Sequence, residues 1–379
     1  MRPESWSQAS SRRVASAVVG CLLCLAAPPA ATASTEAQQL GAALTLGRQS
    51  TGAPAATGAV TRCGRLVWSG ASGVMDLASG RRATSSTRFV PGSTTKTVVA
   101  ALVLDLVQRR KLSLSMPLSR FYPRLPSARR ITVRMLLNHT SGLREYFDDP
   151  RINEIIADHP DHHWTRDEVL RAITKTQFTP GTRYVYTNSN YVVLGGVIEK
   201  VTRGTIEHAF RTRIGDPLRL ATSTFDYRPG RSGLFAHPYL PTPGGPHDGF
   251  APGVGVPADY WGAVWTDGGL ASTAPDLARF GDALFEGRLL RPSTVRTMTR
   301  LSRGHGLGID PLRFAGRTWL GHSGGYGGYG SQVWHDATRG ITIAVMTNSV
   351  EASAATTWRA LVAAYDRAVP GRRPCRAGT

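Results

Sequence analysis

Ser93-Thr94-Thr95-Lys96 stands where an apolar, glycine-edged segment gives way to the run Thr97 to Val107, which is almost entirely apolar apart from Asp105. A run of that length with no hydrophilic stripe predicts a helix enclosed on nearly all sides. Residues three apart share a helix face, so Lys96 lies one turn from Ser93 with its amine within reach of the hydroxyl. A serine alcohol is a poor nucleophile until a base removes its proton. Burial and the positive end of the helix dipole both disfavour an ammonium at Lys96, which lowers its pKa towards the range of such a base. The same helix end directs the Ser93 backbone N–H towards a developing oxyanion. The competing reading, a serine N-cap beside an exposed lysine, is opposed by the apolar flanks. Only four of the 45 Lys and Arg residues are lysines (Lys96, Lys111, Lys175, Lys200), and no other lysine has a serine three positions before it.

Two further segments carry chemistry. Tyr186-Thr187-Asn188 follows the turn Pro180-Gly181 and precedes a helical pattern starting near Tyr191. A phenol there can relay protons to a leaving group, and the Asn188 amide can hold both a substrate amide and the Lys96 amine. By itself Tyr-x-Asn is a weak signal. Gly321-His322-Ser323-Gly324-Gly325 satisfies Gly-x-Ser-x-Gly, the nucleophile elbow, which requires a helix after its serine and then an acid and a histidine. Here Ser323 is followed by the glycine-rich Gly324 to Gly330, a poor helix former, and no acidic residue separates it from His335, the only downstream histidine. The segment is therefore read as an edge strand whose glycines let backbone approach a substrate, with Gly325 N–H as the second oxyanion donor.

Ser93-x-x-Lys96, Tyr186-x-Asn188 and His322-x-Gly324, in that order, resemble the serine penicillin-recognising family of D-alanyl-D-alanine carboxypeptidases, class C β-lactamases and related esterases. The likeness extends to Leu136-Leu137-Asn138-His139-Thr140-Ser141-Gly142-Leu143 and to Gly268-Gly269-Leu270-Ala271-Ser272-Thr273. It implies an α+β fold of the β-lactamase/transpeptidase type, an antiparallel sheet flanked by helices with an inserted all-helical lobe. It also implies that Ser93 forms an acyl-enzyme, that Lys96 and Tyr186 share acid and base work, and that Asn188 binds the substrate amide. Ser323 would touch the substrate carboxylate at a strand where His322 replaces the usual lysine, and the Ser93 and Gly325 amides would form the oxyanion hole. Expected ligands are peptidoglycan peptides or β-lactams, and carboxypeptidase, β-lactamase or esterase activity and a silent binding protein all stay open. One departure concerns the cation that holds a free substrate carboxylate: Gly306-Leu307-Gly308-Ile309 is followed by Asp310, with Arg313 or Arg317 as substitutes. No cofactor is called for. His159, His162 and His163 have no further ligand at metal-binding spacing and read as a solvated loop.

Working outward, Gly58 to Leu77 reads as a β-hairpin around Cys63-Gly64, about 112–225 as the helical lobe, and Pro229 to Tyr260 as an irregular functional loop. Strand patterns return at Thr318 to Gly321, Ser331 to Trp334 and Ile341 to Thr347. A closing helix presents Trp358, Leu361, Val362 and Tyr365 on one face. Residues 1–33, with Arg2, Arg12 and Arg13, an uncharged run and Ala31-Thr32-Ala33, read as a cleaved export signal, which leaves 34–379 as the hydrolase domain of a secreted protein. A retained anchor, twin-arginine export and lipidation at Cys21 are the alternatives; no later segment reaches transmembrane length. The remaining thiols, Cys63 and Cys375, suggest one bridge in an oxidising exterior, against two unpaired buried thiols. The formal charge of +19 comes from scattered arginines, with no basic run longer than Arg109-Arg110-Lys111 and no aromatic platform. That pattern speaks against nucleic acid and leaves electrostatic association with an anionic cell wall.

Overall fold

The computed structural model describes residues 35–159, 162–226, 235–251 and 260–369; the expected export signal and Cys375 lie outside them. The chain opens with α1 (Glu36–Ser50), β1 (Ala55–Arg62), β2 (Arg65–Asp76) and β3 (Arg81–Arg82), then enters α2 (Thr95–Gln108) through a 3-10 turn at Gly92–Thr94. The helical lobe supplies α3 (Val133–Leu137), α4 (Pro150–Asp158), α5 (Arg166–Arg171), α6 (Ser189–Thr202) and α7 (Ile206–Phe210). A two-stranded ribbon, β4 (Tyr239–Thr242) and β5 (Gly245–Asp248), precedes α8 (Tyr260–Gly268), α9 (Ala274–Phe285) and α10 (Pro292–Thr299). The chain returns through β6 (Asp310–Phe314), β7 (Arg317–Tyr326), β8 (Tyr329–Asp336) and β9 (Ile341–Thr347) to α11 (Glu351–Ala368).

Seven strands form an antiparallel sheet in the order β3-β2-β1-β9-β8-β7-β6, so the first strand of the chain pairs with the last. The β1–β2 reversal uses Cys63 and Gly64, both in the left-handed region. All residues of β8 and β9 are buried, the pattern of strands covered on both faces. One face packs on α1 and α11 through Leu40, Leu44, Trp319, Trp334, Trp358 and Leu361. The other belongs to the larger core that contains α2, α6 and α9, including Val98, Leu102, Val193, Leu277 and Phe280. The enclosed helix expected after Lys96 is α2, in which every residue from Thr95 to Leu106 is buried.

The expectation of an irregular stretch from Pro229 to Tyr260 needs correction, because β4 and β5 lie within it. Pro241 and Pro246 face each other in the ribbon, and its two strands pair only with each other. Strands with an open side tolerate residues that lack an N–H. Helix α1 and strand β6 were not expected from the residues.

Trp358 anchors the outer layer: it meets the Trp319 ring edge-on at 5.0 Å and donates its indole N–H to Ile343 O at 3.1 Å. Trp358→Ala is expected to cost about 3–5 kcal/mol, read as a lower thermal midpoint. An unchanged midpoint would show that this layer does not hold the sheet.

Candidate active site

The site is built around the entry to α2. Gly92 has φ +55° and lies so close to β7 that a Cβ on it would fall 2.8 Å from Gly325 N. A Cβ on Gly324 would fall 2.0 Å from Pro91 O and 2.8 Å from Ser93 N. Both positions need glycine, one for backbone conformation and both for room. Further hydroxyls fix the turn: Thr94 Oγ1 meets Ser331 Oγ at 2.7 Å, and Ser331 Oγ lies 2.6 Å from Pro91 O. Thr97 Oγ1 donates to Gly308 O at 2.8 Å.

Ser93 is half-buried, with its Oγ between two groups. Lys96 Nζ lies 3.0 Å away and Tyr186 Oη 2.8 Å away. Lys96 is fully buried, and its Nζ also donates to Asn188 Oδ1 at 2.8 Å and Asp267 O at 2.7 Å. Those two oxygens are acceptors only, so they take both N–H bonds of a neutral amine and leave its lone pair for the Ser93 O–H. Burial lowers the Lys96 pKa to about 8, against the opposing pull of the Asp267 and Glu145 carboxylates. Desolvation pushes the Tyr186 phenol in the other direction, well above its usual value, so it stays protonated and donates to Ser93 Oγ. The two neighbours of the serine hydroxyl are thereby differentiated into proton acceptor and proton donor.

Tyr186 is positioned by His139, whose ring stacks on it at 4.4 Å. His139 Nδ1 accepts from Thr187 N at 3.2 Å and is therefore unprotonated, and burial holds the imidazole neutral, well below its usual pKa. Asn190 Nδ2 lies 3.2 Å from the same nitrogen. The Asn188 backbone N–H donates to Glu145 Oε2 at 2.7 Å, which fixes the amide that holds Lys96. The motif Tyr186-Thr187-Asn188 thus works through its backbone as well as its side chains.

Across the cleft, β6 begins at Asp310 opposite Gly321, and none of its pairs reaches His322 to Tyr326. His322 is buried, with Nε2 4.0 Å from Asp310 Oδ2. His305 Nδ1 meets the other Asp310 oxygen at 2.6 Å, and its ring stacks on Tyr184 at 3.7 Å. Ser323 is half-buried and pairs across to Gln332, and it lines a cleft of about 410 Å³ with Asp310, Trp334 and Arg359. Of the arginines considered as carboxylate clamps, Arg317 is held by Asp336 at 3.3 Å and Asp366 at 2.5 Å, and Arg313 is exposed.

The structure therefore brings together Ser93, Lys96, Tyr186, Asn188, Gly324 and Gly325, with His322 at the same strand edge. The sequence reading missed Asp267, Glu145 and the positioning role of His139. Asp267 sits near the C-terminus of α8, where carbonyls lack helical partners, and its carbonyl takes Lys96. Its carboxyl, buried and accepting from Tyr146 Oη at 2.9 Å, is pushed up to about 8 by burial.

A family model described as beta-lactamase matches residues 35–366. The chain belongs to that family. It shares its fold with D-amino acid amidase from Ochrobactrum anthropi SV3, with a TM-score of 0.75 and 23% identity, covering 86% of this chain and 98% of that one. It also matches a D-stereospecific amidohydrolase from Streptomyces sp., with a TM-score of 0.73 and 26% identity over 88% of this chain and 99% of that one. Among curated proteins, the teichoic acid D-alanine hydrolase of Staphylococcus aureus strain MRSA252 is 31% identical over 169 residues, 44% of this chain and 40% of the relative's length. The match thus spans well under half of that relative. The family is one of serine hydrolases, and the beta-lactamase/transpeptidase-like fold expected from the motifs is the one observed.

Reaction of Ser93 with a labelled penicillin is expected to accelerate with rising pH through a midpoint near the Lys96 pKa of about 8. The Asp267 carboxylate raises that pKa, so Asp267→Asn should move the midpoint to lower pH. A pH–rate profile with an unmoved or raised midpoint would contradict the coupling.

Proposed function

We propose that this chain is an exported serine hydrolase that removes D-alanyl groups from cell-envelope polymers through a Ser93 acyl-enzyme. The observation that carries the reading is the placement of Ser93 Oγ between a buried amine at 3.0 Å and a phenol at 2.8 Å. Lys96 takes the serine proton as Oγ attacks the carbonyl. Tyr186 gives its proton to the leaving group and is reprotonated by the proton that Lys96 took from Ser93. The Ser93 and Gly325 amides face the developing oxyanion, and Asn188 holds the substrate amide. Water then clears the acyl-enzyme by the reverse proton path.

The substrate class rests on two supports. The named relatives act on D-alanine, a D-amino acid amide or a D-configured amide. The Asp310 carboxylate beside His322 disfavours a free carboxylate on the leaving group, which favours a D-alanyl ester or simple amide. At an effective dielectric near 20, carboxylate repulsion across the cleft is on the order of 1–2 kcal/mol, enough for about a ten-fold preference. The second reading is D-alanyl-D-alanine carboxypeptidase action on peptidoglycan stem peptides, favoured by the three motifs in their order; a β-lactamase shares the same acylation step.

A panel of D-alanyl-glycerol ester, a D-Ala-D-Ala peptide and a cephalosporin tests this. The ester should be turned over with the highest kcat/KM, and Ser93→Ala and Lys96→Ala should each lose at least about 10³-fold. Faster peptide turnover would establish the carboxypeptidase reading, and turnover surviving in Ser93→Ala would refute the nucleophile. The Cys63–Cys375 bridge belongs to the same proposal of an exported protein. Thiols should be titratable in the mature, denatured protein only after reduction; two free thiols before it would contradict the bridge.

A further inference from the structure

A cleft of about 650 Å³ lies between α3 and α10, lined by Arg134, Asn138, Arg296, Thr297, Arg300 and His305, with no acidic residue in its walls. Arg134, Arg296 and Arg300 are all exposed, and among the described residues none of the three guanidiniums makes a hydrogen bond or ion pair. Other arginines of the chain are paired. Arg109 and Arg213 meet Asp105, Arg144 meets Asp148, and Arg288 meets Asp282. Three uncompensated cations around one concavity produce a strong local positive potential, and a guanidinium fork matches phosphate geometry.

The cleft is also joined to the candidate active site. His305 in its wall stacks on Tyr184 at 3.7 Å, Tyr184 meets His139 edge-on at 5.8 Å, and His139 stacks on Tyr186, whose hydroxyl touches Ser93. Ring contacts therefore run without a break from the cleft wall to the serine.

We propose that this arginine cleft binds the phosphodiester backbone of a polyol-phosphate polymer and so selects chains whose D-alanyl esters Ser93 cleaves. The proposal rests on the ester reading above, but binding and turnover can be read separately. The cleft has no Phe, Tyr or Trp among its lining residues, and its one ring, His305, already stacks on Tyr184, which favours a backbone without bases over a nucleic acid.

The test measures binding of ester-free poly(glycerol phosphate) to wild type and to the combined variant Arg134→Gln, Arg296→Gln, Arg300→Gln. The wild type should bind with an affinity that falls steeply with salt. The variant should bind at least about ten-fold more weakly, with a log–log salt slope shallower by roughly 2–3, as expected when about three phosphate contacts are lost. Its turnover of D-alanyl-glycerol and its thermal midpoint should match wild type, which excludes misfolding. Equal affinity and slope in the two proteins would overturn the proposal, as would tighter binding of single-stranded DNA carrying the same number of phosphates. Absence of D-alanyl-glycerol turnover in wild type would instead refute the ester reading and leave the binding result to decide the cleft.

Discussion

A primary amine with no solvent exposure sits at the base of the site, and the surrounding structure is arranged around the cost of burying it. An ammonium removed from water costs several kcal/mol unless oxygens replace its hydration. Lys96 finds three of them, on Ser93, Asn188 and Asp267, from three separate segments of the chain. Two of the three are held in turn: Asn188 by Glu145, and the Ser93 turn by Thr94, Ser331 and Pro91. The residual cost appears as the lowered pKa of the amine, which is the property a base near neutral pH requires.

The second constraint is steric. A substrate carbonyl can meet Ser93 and the edge of β7 together only if the strand and the helix entry touch through bare backbone. Gly92 and Gly324 supply that closeness, and the pairing of β6 stops short of the edge it would otherwise cover. Both faces of the sheet behind that edge are covered. The core on one side positions α2, and the tryptophan layer on the other holds β7 and β8.

Much of this was legible in the residues. The Ser93–Lys96 spacing followed by an apolar run defined α2 and the amine, because a buried helix and a same-face pair both leave a periodic trace. Rejecting Ser323 as a nucleophile rested on the glycines after it, and those glycines form the β7–β8 hairpin. Asp267 stayed hidden because its contribution to Lys96 comes from a main-chain carbonyl 171 positions away, and a carbonyl has no side-chain signature. His139 was unreadable for a related reason: its role is to stack on Tyr186 from a loop whose glycine stop, Gly142, looks like an ordinary helix end. The β4–β5 ribbon was missed because prolines and glycines argue against strands, although a two-stranded ribbon with open sides accommodates them.

The central claim is that Lys96 is a neutral or nearly neutral amine at mildly alkaline pH. With four lysines in the chain, ε-carbon-labelled lysine gives a titration by NMR that resolves each amine. The account predicts one resonance, removed by Lys96→Met, with a midpoint near 8, well below the ordinary lysine value of about 10.4. A Lys96 signal that titrates at the ordinary lysine value would mean that the buried amine remains an ammonium, and the proposed activation of Ser93 would fail with it.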